Sequence, residues 1–316
     1  MGVNIKIPYL KCVPYSESVM EKFSFPAYSQ VKEDGMRCSI KIESPESIVA
    51  LSQIGRTYPR LDEHLKPDIE HIFSRWANMD PFVLDGELIA YNEEGPLPRA
   101  KSNGITNKLG HGTISNEELG MLRFVVWDVI PLDQFWEEEG KYCYDRRLDQ
   151  LSRLVDGCQN IWICETKLVN SLQEAKEHFR ECISRKLEGT ILKEKTHFWK
   201  NKRLKSCVKF KEEHDCDLEI IDIQEGQGKY EDMMGALICE TSCGKLRVGV
   251  GTGFTDAQRN QLWSRKWIGK VVRVKYNQIS ENETGKFSLF LPKFAGMRTD
   301  KNNADTLELV QREALV

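Results

Sequence analysis

The amino-acid sequence predicts an α+β protein of two domains, on the basis of three observations. The chain has 316 residues, a length typical of two domains. Residues 1–211 combine strand-like apolar runs with two amphipathic helical segments. Residues 212–316 are dominated by short strand-like runs separated by turns. We therefore expect antiparallel sheets with helices in the first domain and a small β-barrel in the second.

The strands of the first domain are predicted from runs of β-branched and apolar residues. These runs are 28–31, 36–42, 48–52, 81–90, 122–130, 189–194 and 206–211. Leucines at helical spacing predict a helix over 145–156, and the capping box from Ser171 to Glu174 predicts another helix after it. Residues 92–113 mix Gly, Pro, Asn and Lys, which predicts a long mobile loop.

The second domain follows a hydrophilic stretch at 211–216, where we expect a hinge. Strands are predicted at 218–224, 235–240, 245–251, 270–276 and 287–294. The segment 256–267 is the one helix-like interruption. Five short strands around one helix are typical of an OB-fold.

Composition limits the possible partners. The net charge is −3, so any contact with nucleic acid must come from local clusters of Lys and Arg. No apolar run approaches the length needed to cross a bilayer, so we expect no membrane partner. The ten cysteines include one close pair, Cys239 and Cys243, without the second pair or histidine that a zinc site needs. Reduced thiols in a cytoplasm are the simpler interpretation.

Five charged clusters interrupt the apolar strands of the first domain. They are Lys32-Glu-Asp-Gly-Met-Arg37, Leu84-Asp-Gly-Glu-Leu88, Phe124-Val-Val-Trp-Asp128, Glu188-Gly-Thr-Ile-Leu-Lys193 and Val208-Lys-Phe-Lys211. One such cluster is a weak sign, because a solvated hairpin or a structural ion pair would produce the same residues. Five together predict a pocket in which lysines and carboxylates converge, an environment suited to phosphate and a divalent metal.

The order of these clusters resembles the covalent nucleotidyltransferases, which are the DNA ligases, RNA ligases and mRNA capping enzymes. Stretches of the second domain resemble the OB domain of ATP-dependent DNA ligases: Gly228-Lys-Tyr230, Gly235-Ala-Leu, Val248-Gly-Val-Gly-Thr-Gly-Phe254, Pro292-Lys-Phe294 and Arg298-Thr-Asp-Lys301. The resemblance covers almost the whole chain. It implies a nucleotidyltransferase (adenylation) domain over 1–211 and an OB-fold β-barrel over 212–316. The short length resembles the compact ligases of bacteriophages, some bacteria and large viruses.

The resemblance implies an ATP-dependent DNA ligase that seals 5′-phosphate/3′-hydroxyl nicks in duplex DNA. Lys32 would form a lysyl-AMP intermediate, the AMP would pass to the nick as a DNA-adenylate, and the 3′-hydroxyl would displace it. ATP and Mg²⁺ or Mn²⁺ are the implied cofactors. Nicked duplex DNA is the implied partner of a monomer, acting in the host cytoplasm if the protein is viral. A swinging OB domain would bring Arg298, Asp300 and Lys301 to the leaving pyrophosphate.

The same resemblance implies a set of site residues. Lys32, Lys209 and Lys211 are the catalytic candidates, and Glu87 and Glu188 are the metal candidates. Trp127 would stack on adenine, with Ile191 on its other face and Gln30 at its N6 edge. The nucleotide candidates are Gln30, Val31, Lys32, Arg37, Arg56, Glu87, Trp127, Ile191, Lys193, Lys209, Lys211 and Arg298. The candidates for contacts with DNA phosphates are Lys200, Lys202, Arg203, Lys205, Arg247, Lys270, Arg273 and Lys275.

Several alternatives stay open from the sequence. Glu87 and Glu188 could be structural ion-pair partners, and Trp127 could be a core aromatic. Many ligases carry arginine where this chain has Gln53, so either that contact is weakened or Arg56 replaces it. An RNA ligase or GTP-using capping enzyme is the alternative within the superfamily. A non-catalytic OB protein that binds nucleic acid is the alternative outside it.

Overall fold

The computed structural model describes residues 7–76, 79–212, 214–281 and 285–313. Contacts between Cα atoms divide the chain into two compact units, with the division between Lys211 and Glu212. None of the helices in these described ranges is both long and apolar enough to span a membrane.

The first unit contains most of the secondary structure. Its strands are β1 Lys11–Pro14, β2 Ala27–Val31, β3 Met36–Ser44, β4 Ser47–Ser52, β5 Phe82–Asn92, β6 Gly95–Pro96, β7 Leu122–Pro131, β8 Glu139–Cys143, β9 Ile161–Ile163, β10 Thr166–Val169, β11 Gly189–Glu194, β12 Phe198–Lys200 and β13 Arg203–Lys211. Its helices are α1 Glu17–Met20, α2 Leu61–Arg75, α3 Arg99–Gly110, α4 Asn116–Met121, α5 Leu132–Trp136, α6 Tyr144–Leu154 and α7 Leu172–Ser184.

Two sheets carry the charged clusters of this unit. One has the order β1-β13-β11-β2-β10 and the other β4-β3-β5-β7-β9, with β6 paired to β5. Pairing is antiparallel except between β1 and β13 and between β7 and β9. The order makes β2, β11 and β13 neighbours in one sheet and β3, β5 and β7 neighbours in the other. Every cluster therefore lies on or directly beside one of these two groups of neighbouring strands.

The two longest helices that the sequence did not predict in the first unit are α2 and α3. The predicted mobile loop at 92–113 is wrong over its centre, because α3 occupies that stretch. Its buried side chains include Ser102 and Thr106, and the Ser102 hydroxyl accepts the Ala90 N–H at 3.0 Å. A buried face of small polar residues leaves little apolar periodicity to detect. Helix α2 was also not predicted, although it buries an apolar face against the second sheet.

The second unit is built mainly from strands. They are β14 His214–Glu225, β15 Met234–Glu240, β16 Arg247–Val250, β17 Val271–Tyr276, β18 Gln278–Glu281, β19 Phe287–Phe290 and β20 Lys293–Met297, and the helices are α8 Asp256–Leu262 and α9 Leu307–Glu313. Five strands form an antiparallel sheet in the order β16-β15-β14-β17-β20, and β18 pairs with β19. The predicted α+β class is confirmed.

Three details of the second unit correct the sequence analysis. The predicted strand 287–294 divides at Leu291, whose φ of 53° breaks the extended chain between β19 and β20. The predicted helix 256–267 is α8 followed by a short 3₁₀ turn. Helix α9 was not predicted, and its Leu307 and Val310 are buried in the core of this unit.

Candidate active site

Lys32 lies immediately after β2, beside the start of β11. Its backbone N–H donates to the Gly189 carbonyl at 2.9 Å, and its ammonium group donates to the Glu188 carboxylate. Gly189 has a φ of +141°, and a Cβ there would lie 2.2 Å from the Phe210 carbonyl oxygen. A side chain at this position would therefore push β13 away from β11. Glycine allows the strands to converge beside Lys32.

Two more carboxylates surround this lysine. Glu87 faces Arg37 across the β3–β5 pairing and accepts the Gly35 N–H at 3.2 Å. Burial raises the pKa of Glu87 to about 7, although Lys32 and Arg37 act in the opposite direction. Burial and then the charge of Glu188 raise the pKa of Asp34. Burial is therefore the main factor that disfavours the charged forms of Glu87 and Asp34.

The donor chemistry of this group fits a divalent metal. Mg²⁺ and Mn²⁺ prefer carboxylate oxygens, and a cation would stabilise the charged forms that burial disfavours at Glu87 and Asp34. The described residues contain no cluster of three His, Cys, Asp or Glu side chains already arranged to hold an ion. An ion at Glu87 and Glu188 would therefore need water and phosphate oxygens as well, which is common for Mg²⁺.

Asp85 organises the arginine and the tryptophan of the site. Its carboxylate accepts hydrogen bonds from Arg37, from the Ser39 hydroxyl at 3.2 Å and from the Trp127 indole N–H at 3.2 Å. The Arg37 guanidinium lies 5.0 Å from the Tyr9 ring centroid and 5.4 Å from that of Trp127. Arg37 and Trp127 are predicted from the sequence, whereas the roles of Asp85 as their common acceptor and of Tyr9 as the second aromatic contact are not.

Three candidate residues share one face of the first sheet. Ile191 pairs with Gln30 on one side and with Lys209 on the other, and directly paired residues point to the same face. Gln30 is 1% exposed and donates its amide N–H to the Thr166 hydroxyl at 2.9 Å. Val31, next along β2, packs in the same apolar cluster as Trp127. Lys211 follows Lys209 by two residues and therefore lies on the same face of β13, where it pairs with Gly189.

Lys193 is a buried cation on the same face. It is 6% exposed and donates to the Tyr144 hydroxyl at 3.2 Å. The Tyr144 hydroxyl donates in turn to the Trp127 carbonyl at 2.8 Å. Two hydrogen bonds through Tyr144 therefore connect Lys193 to the backbone of Trp127. The contact of Lys193 with a nucleotide stays a prediction.

The structure distinguishes Gln53 from Arg56. Both are exposed, and the backbone N–H of Arg56 donates to the Ser52 hydroxyl at 3.0 Å to close a turn. Burial acts to raise the pKa of the Tyr9 phenol, but hydrogen bonds from Lys11 and Gln53 lower it overall. Gln53 thus interacts with the hydroxyl group of the tyrosine whose ring lies over Arg37.

Arg99 is a residue of the site that the sequence analysis missed. It begins α3 and donates to the Asp34 carboxylate at 2.5 Å, with 39% of its side chain exposed. Because Asp34 belongs to the Lys32 cluster, this contact connects α3 to the turn beside the lysine. No signal in the sequence marked the arginine, since it lay in the stretch predicted to be a loop.

Within the second unit, three cations converge on Asp217. Its carboxylate, 5% exposed, pairs with Arg298, with Lys301 at 2.9 Å and with Arg273 at 3.2 Å. Arg298 also pairs with Asp300 at 2.8 Å. This network lowers the pKa of Asp217 despite the opposing effect of burial. The predicted residues Arg298 and Lys301 are therefore held together by an aspartate that the sequence analysis did not single out.

The remaining DNA candidates lie mostly at the surface. Lys200 pairs with Glu139, and Arg273 also lies 3.3 Å from Asp215. Those that are exposed within their own units are Lys202, Arg203, Lys205, Arg247, Lys270 and Lys275. Their contact with DNA stays a prediction.

Comparisons with known proteins place these features in a family. Residues 9–211 match a family model described as an ATP dependent DNA ligase domain, and residues 225–297 match one described as a DNA ligase OB-like domain. The chain is 31% identical to the DNA ligase of Enterobacteria phage T4 over 350 residues, covering 97% of this chain and 72% of the relative. It is 28% identical to the DNA ligase of Methanothrix thermoacetophila, covering 77% of this chain and 48% of the relative.

Solved structures show the same fold. A structure named Pmar-Lig_PreS3 gives a TM-score of 0.78 at 21% identity, covering 92% of this chain and 68% of that one. The ATP-dependent DNA ligase from bacteriophage T7 in complex with ATP gives a TM-score of 0.55 at 18% identity, covering 94% of this chain and 100% of that one.

Proposed function

The chain belongs to the ATP-dependent DNA ligases, and we propose that Lys32 is the residue that it adenylylates. A ligase of this family seals a nick between a 5′-phosphate and a 3′-hydroxyl through a lysyl-AMP and then a DNA-adenylate. The single observation that supports Lys32 is its position at the junction of β2 and β11, with Glu188 on its ammonium group.

The first step joins the Lys32 nitrogen to the α-phosphorus of ATP and releases pyrophosphate. The amine can attack only after its proton has left and its ion pair with Glu188 has opened. The hydrogen bond from the Lys32 backbone to Gly189 keeps the attachment point of the side chain in place while this happens. Positioning of this kind supplies much of the advantage of an enzymatic phosphoryl transfer.

The carboxylates and the lysines of the site have different proposed roles: the carboxylates bind the metal ion, and the lysines contact phosphate oxygens. Glu87 and Glu188 would hold Mg²⁺ or Mn²⁺, which supplies electrostatic stabilisation of phosphate oxygens when bound. Lys209 and Lys211 follow each other on one face of β13, and in this proposal they contact phosphate oxygens as charge accumulates there.

The proposed site for the adenine base lies between Trp127 on β7 and Ile191 on β11. Trp127 is held by Asp85 through its indole N–H, so its ring orientation is set before a nucleotide arrives. Ile191 supplies the apolar opposite face. The Gln30 amide, already bonded to Thr166, is placed two residues before the nucleophile to read an adenine edge.

We propose further that residues 1–211 form the adenylation domain and 212–316 the OB-fold domain. Support comes from the two family models, which match within these ranges. The proposed partner is nicked duplex DNA, bound through phosphate contacts by a monomer. The phage relatives support a viral ligase that works in the cytoplasm of a host cell.

Replacing the nucleophile tests the proposal. Lys32→Ala should abolish covalent labelling by α-labelled ATP, because no amine remains to form the phosphoramidate. The same variant should still seal a nick that already carries AMP on its 5′-phosphate, since that step does not use the lysine as a nucleophile. Persistent label on Lys32→Ala would place the nucleophile elsewhere.

A further inference from the structure

Two cysteine thiols meet where β1 joins the first sheet. The sulfur atoms of Cys12 and Cys207 lie 2.6 Å apart. Cys12 is half-buried and Cys207 is fully buried. The two residues come from neighbouring strands far apart in sequence, so this contact depends on the folded sheet.

The backbone around this pair is irregular. Between Cys12 and Val13 the β1–β13 register jumps from Leu204 to Val208, so residues 205–207 have no partner on β1. A bulge bends a strand locally and relaxes the strict spacing of its side chains. Cys207 itself keeps its regular pairing with Lys193 of β11, so a movement of Cys207 is passed along β13 towards Lys209.

The pair lies on the nucleotide-binding face proposed above. Cys207 is directly opposite Lys193 on β11 and two residues before Lys209 on β13, so the three side chains share a face. The hydrogen bond with Cys207 lowers the pKa of Cys12 to about 7 against the effect of burial, and the charges of Lys193, Arg37 and Lys209 act with it. A thiolate, the form that reacts with oxidants, is accessible at Cys12 near neutral pH.

Other buried cysteines in the first unit have different surroundings. The Cys164 thiol lies 3.3 Å from the Val31 carbonyl oxygen, and the Cys182 sulfur lies 3.6 Å from a ring nitrogen of His178. Burial raises the pKa of both thiols. These contacts favour protonated thiols that react slowly.

We propose that Cys12 and Cys207 form a thiol–disulfide couple, oxidised by hydroperoxides, whose closure slows lysyl-AMP formation. The effect on catalysis rests on the proposed function of Lys32 and Lys209, whereas the covalent chemistry does not.

The oxidation proceeds in two balanced steps. The Cys12 thiolate attacks one peroxide oxygen, which breaks the O–O bond and gives a sulfenic acid and hydroxide; the hydroxide takes the proton that the thiol released. The Cys207 sulfur then attacks the sulfenic sulfur, and its proton leaves with the hydroxyl group as water. The two thiols lose two electrons and two protons, and hydrogen peroxide becomes two molecules of water.

The disulfide would disturb the phosphate side of the site. An S–S bond is roughly 2.05 Å long, so the distance between the two sulfur atoms must shorten by about half an ångström from 2.6 Å. The bond also links β1 covalently to β13. Catalytic groups need to be held to within about 0.5 Å of productive geometry. A misplacement of about 1 Å can cost about 100-fold in rate, and Lys209 is two residues from Cys207, so we expect self-adenylylation to slow by about threefold or more.

The test uses the full chain treated with hydrogen peroxide and then alkylated. Non-reducing peptide mapping should find a peptide linked through Cys12 and Cys207, lighter by two hydrogen atoms. Labelling by α-labelled ATP should slow in the same samples and recover after dithiothreitol. Cys243→Ser, which removes an exposed cysteine, is the matched control and should respond as the wild type does.

The substituted variants make the result decisive. Cys12→Ser and Cys207→Ser should each keep their labelling rate after peroxide; Cys12→Ser serves alone if the buried Cys207 position tolerates no change. Lack of the linked peptide in the wild type would overturn the couple, and a linked protein with an unchanged rate would overturn the switch. Lys32→Ala should form the linked peptide without any labelling, which separates failure of this inference from failure of the proposed function.

Discussion

Replacing Glu87 with glutamine should stabilise the folded protein while removing its ability to adenylylate itself. Burial raises the pKa of Glu87 to about 7 from an ordinary value of 4.5. Between these values the folded state holds the proton more tightly than the unfolded state, so stability falls as pH rises. Each pH unit in this window contributes about 1.4 kcal/mol, and the free energy of unfolding should therefore lose about 3 kcal/mol by pH 7 and above. Glutamine never ionises and avoids this loss.

Urea unfolding of the wild type and Glu87→Gln from about pH 5 to about pH 8 measures the effect. The variant should have the higher midpoint at the upper end, and its stability should depend less on pH. Glu137→Gln, at a side chain 58% exposed, is the control and should lie within about 0.5 kcal/mol of the wild type. Labelling by α-labelled ATP should be lost in Glu87→Gln alone. A variant that unfolds more easily at about pH 8, or keeps the wild-type pH dependence, would refute this reasoning.

Three further changes test other parts of the site. Asp85→Asn removes the charge that holds Arg37 and the indole of Trp127, so the ATP concentration for half-maximal labelling should rise about tenfold, or about 1.4 kcal/mol; an unchanged value would mean that Asp85 does not organise the nucleotide site. Gln53→Ala should weaken the same labelling more than Arg56→Ala, because Gln53 interacts with the hydroxyl group of the tyrosine whose ring lies over Arg37; the reverse order would make Arg56 the substitute contact. Arg298→Ala should slow labelling about tenfold or more but spare sealing of pre-adenylated nicks, since its charge is proposed to meet the leaving pyrophosphate; the opposite pattern would make it a DNA contact.

Much of the first unit could be predicted because its signals are local. Strands such as β3, β5 and β11 alternate or cluster apolar residues, and the charged groups embedded in them are conspicuous against that background. Ser171 caps α7 by accepting the Glu174 N–H, although the Glu174 carboxylate accepts the Asn170 N–H and so does not complete the capping box. Family membership decides in favour of a DNA ligase over the RNA ligase, capping enzyme and non-catalytic alternatives.

The contacts that could not be predicted come from tertiary structure. Tyr9 lies outside every charged cluster, and only the folded chain brings its ring to Arg37. Arg99 reaches Asp34 because α3 forms despite its weak apolar pattern. Helix α2 forms although Pro67 lies inside it and cannot donate a helical hydrogen bond. In each case packing outweighed the local sequence signal.

The position of the covalent AMP tests the account most directly. The wild-type protein, incubated with ATP and Mg²⁺ and then digested, should yield one AMP-bearing peptide whose modified residue is Lys32. That result follows from the Lys32 amine lying at the β2–β11 junction beside Glu188 and Glu87. AMP attached instead to Lys193, Lys209 or Lys211 would contradict the account, because each of those residues is assigned here to the surroundings of the phosphate or base and not to its covalent capture.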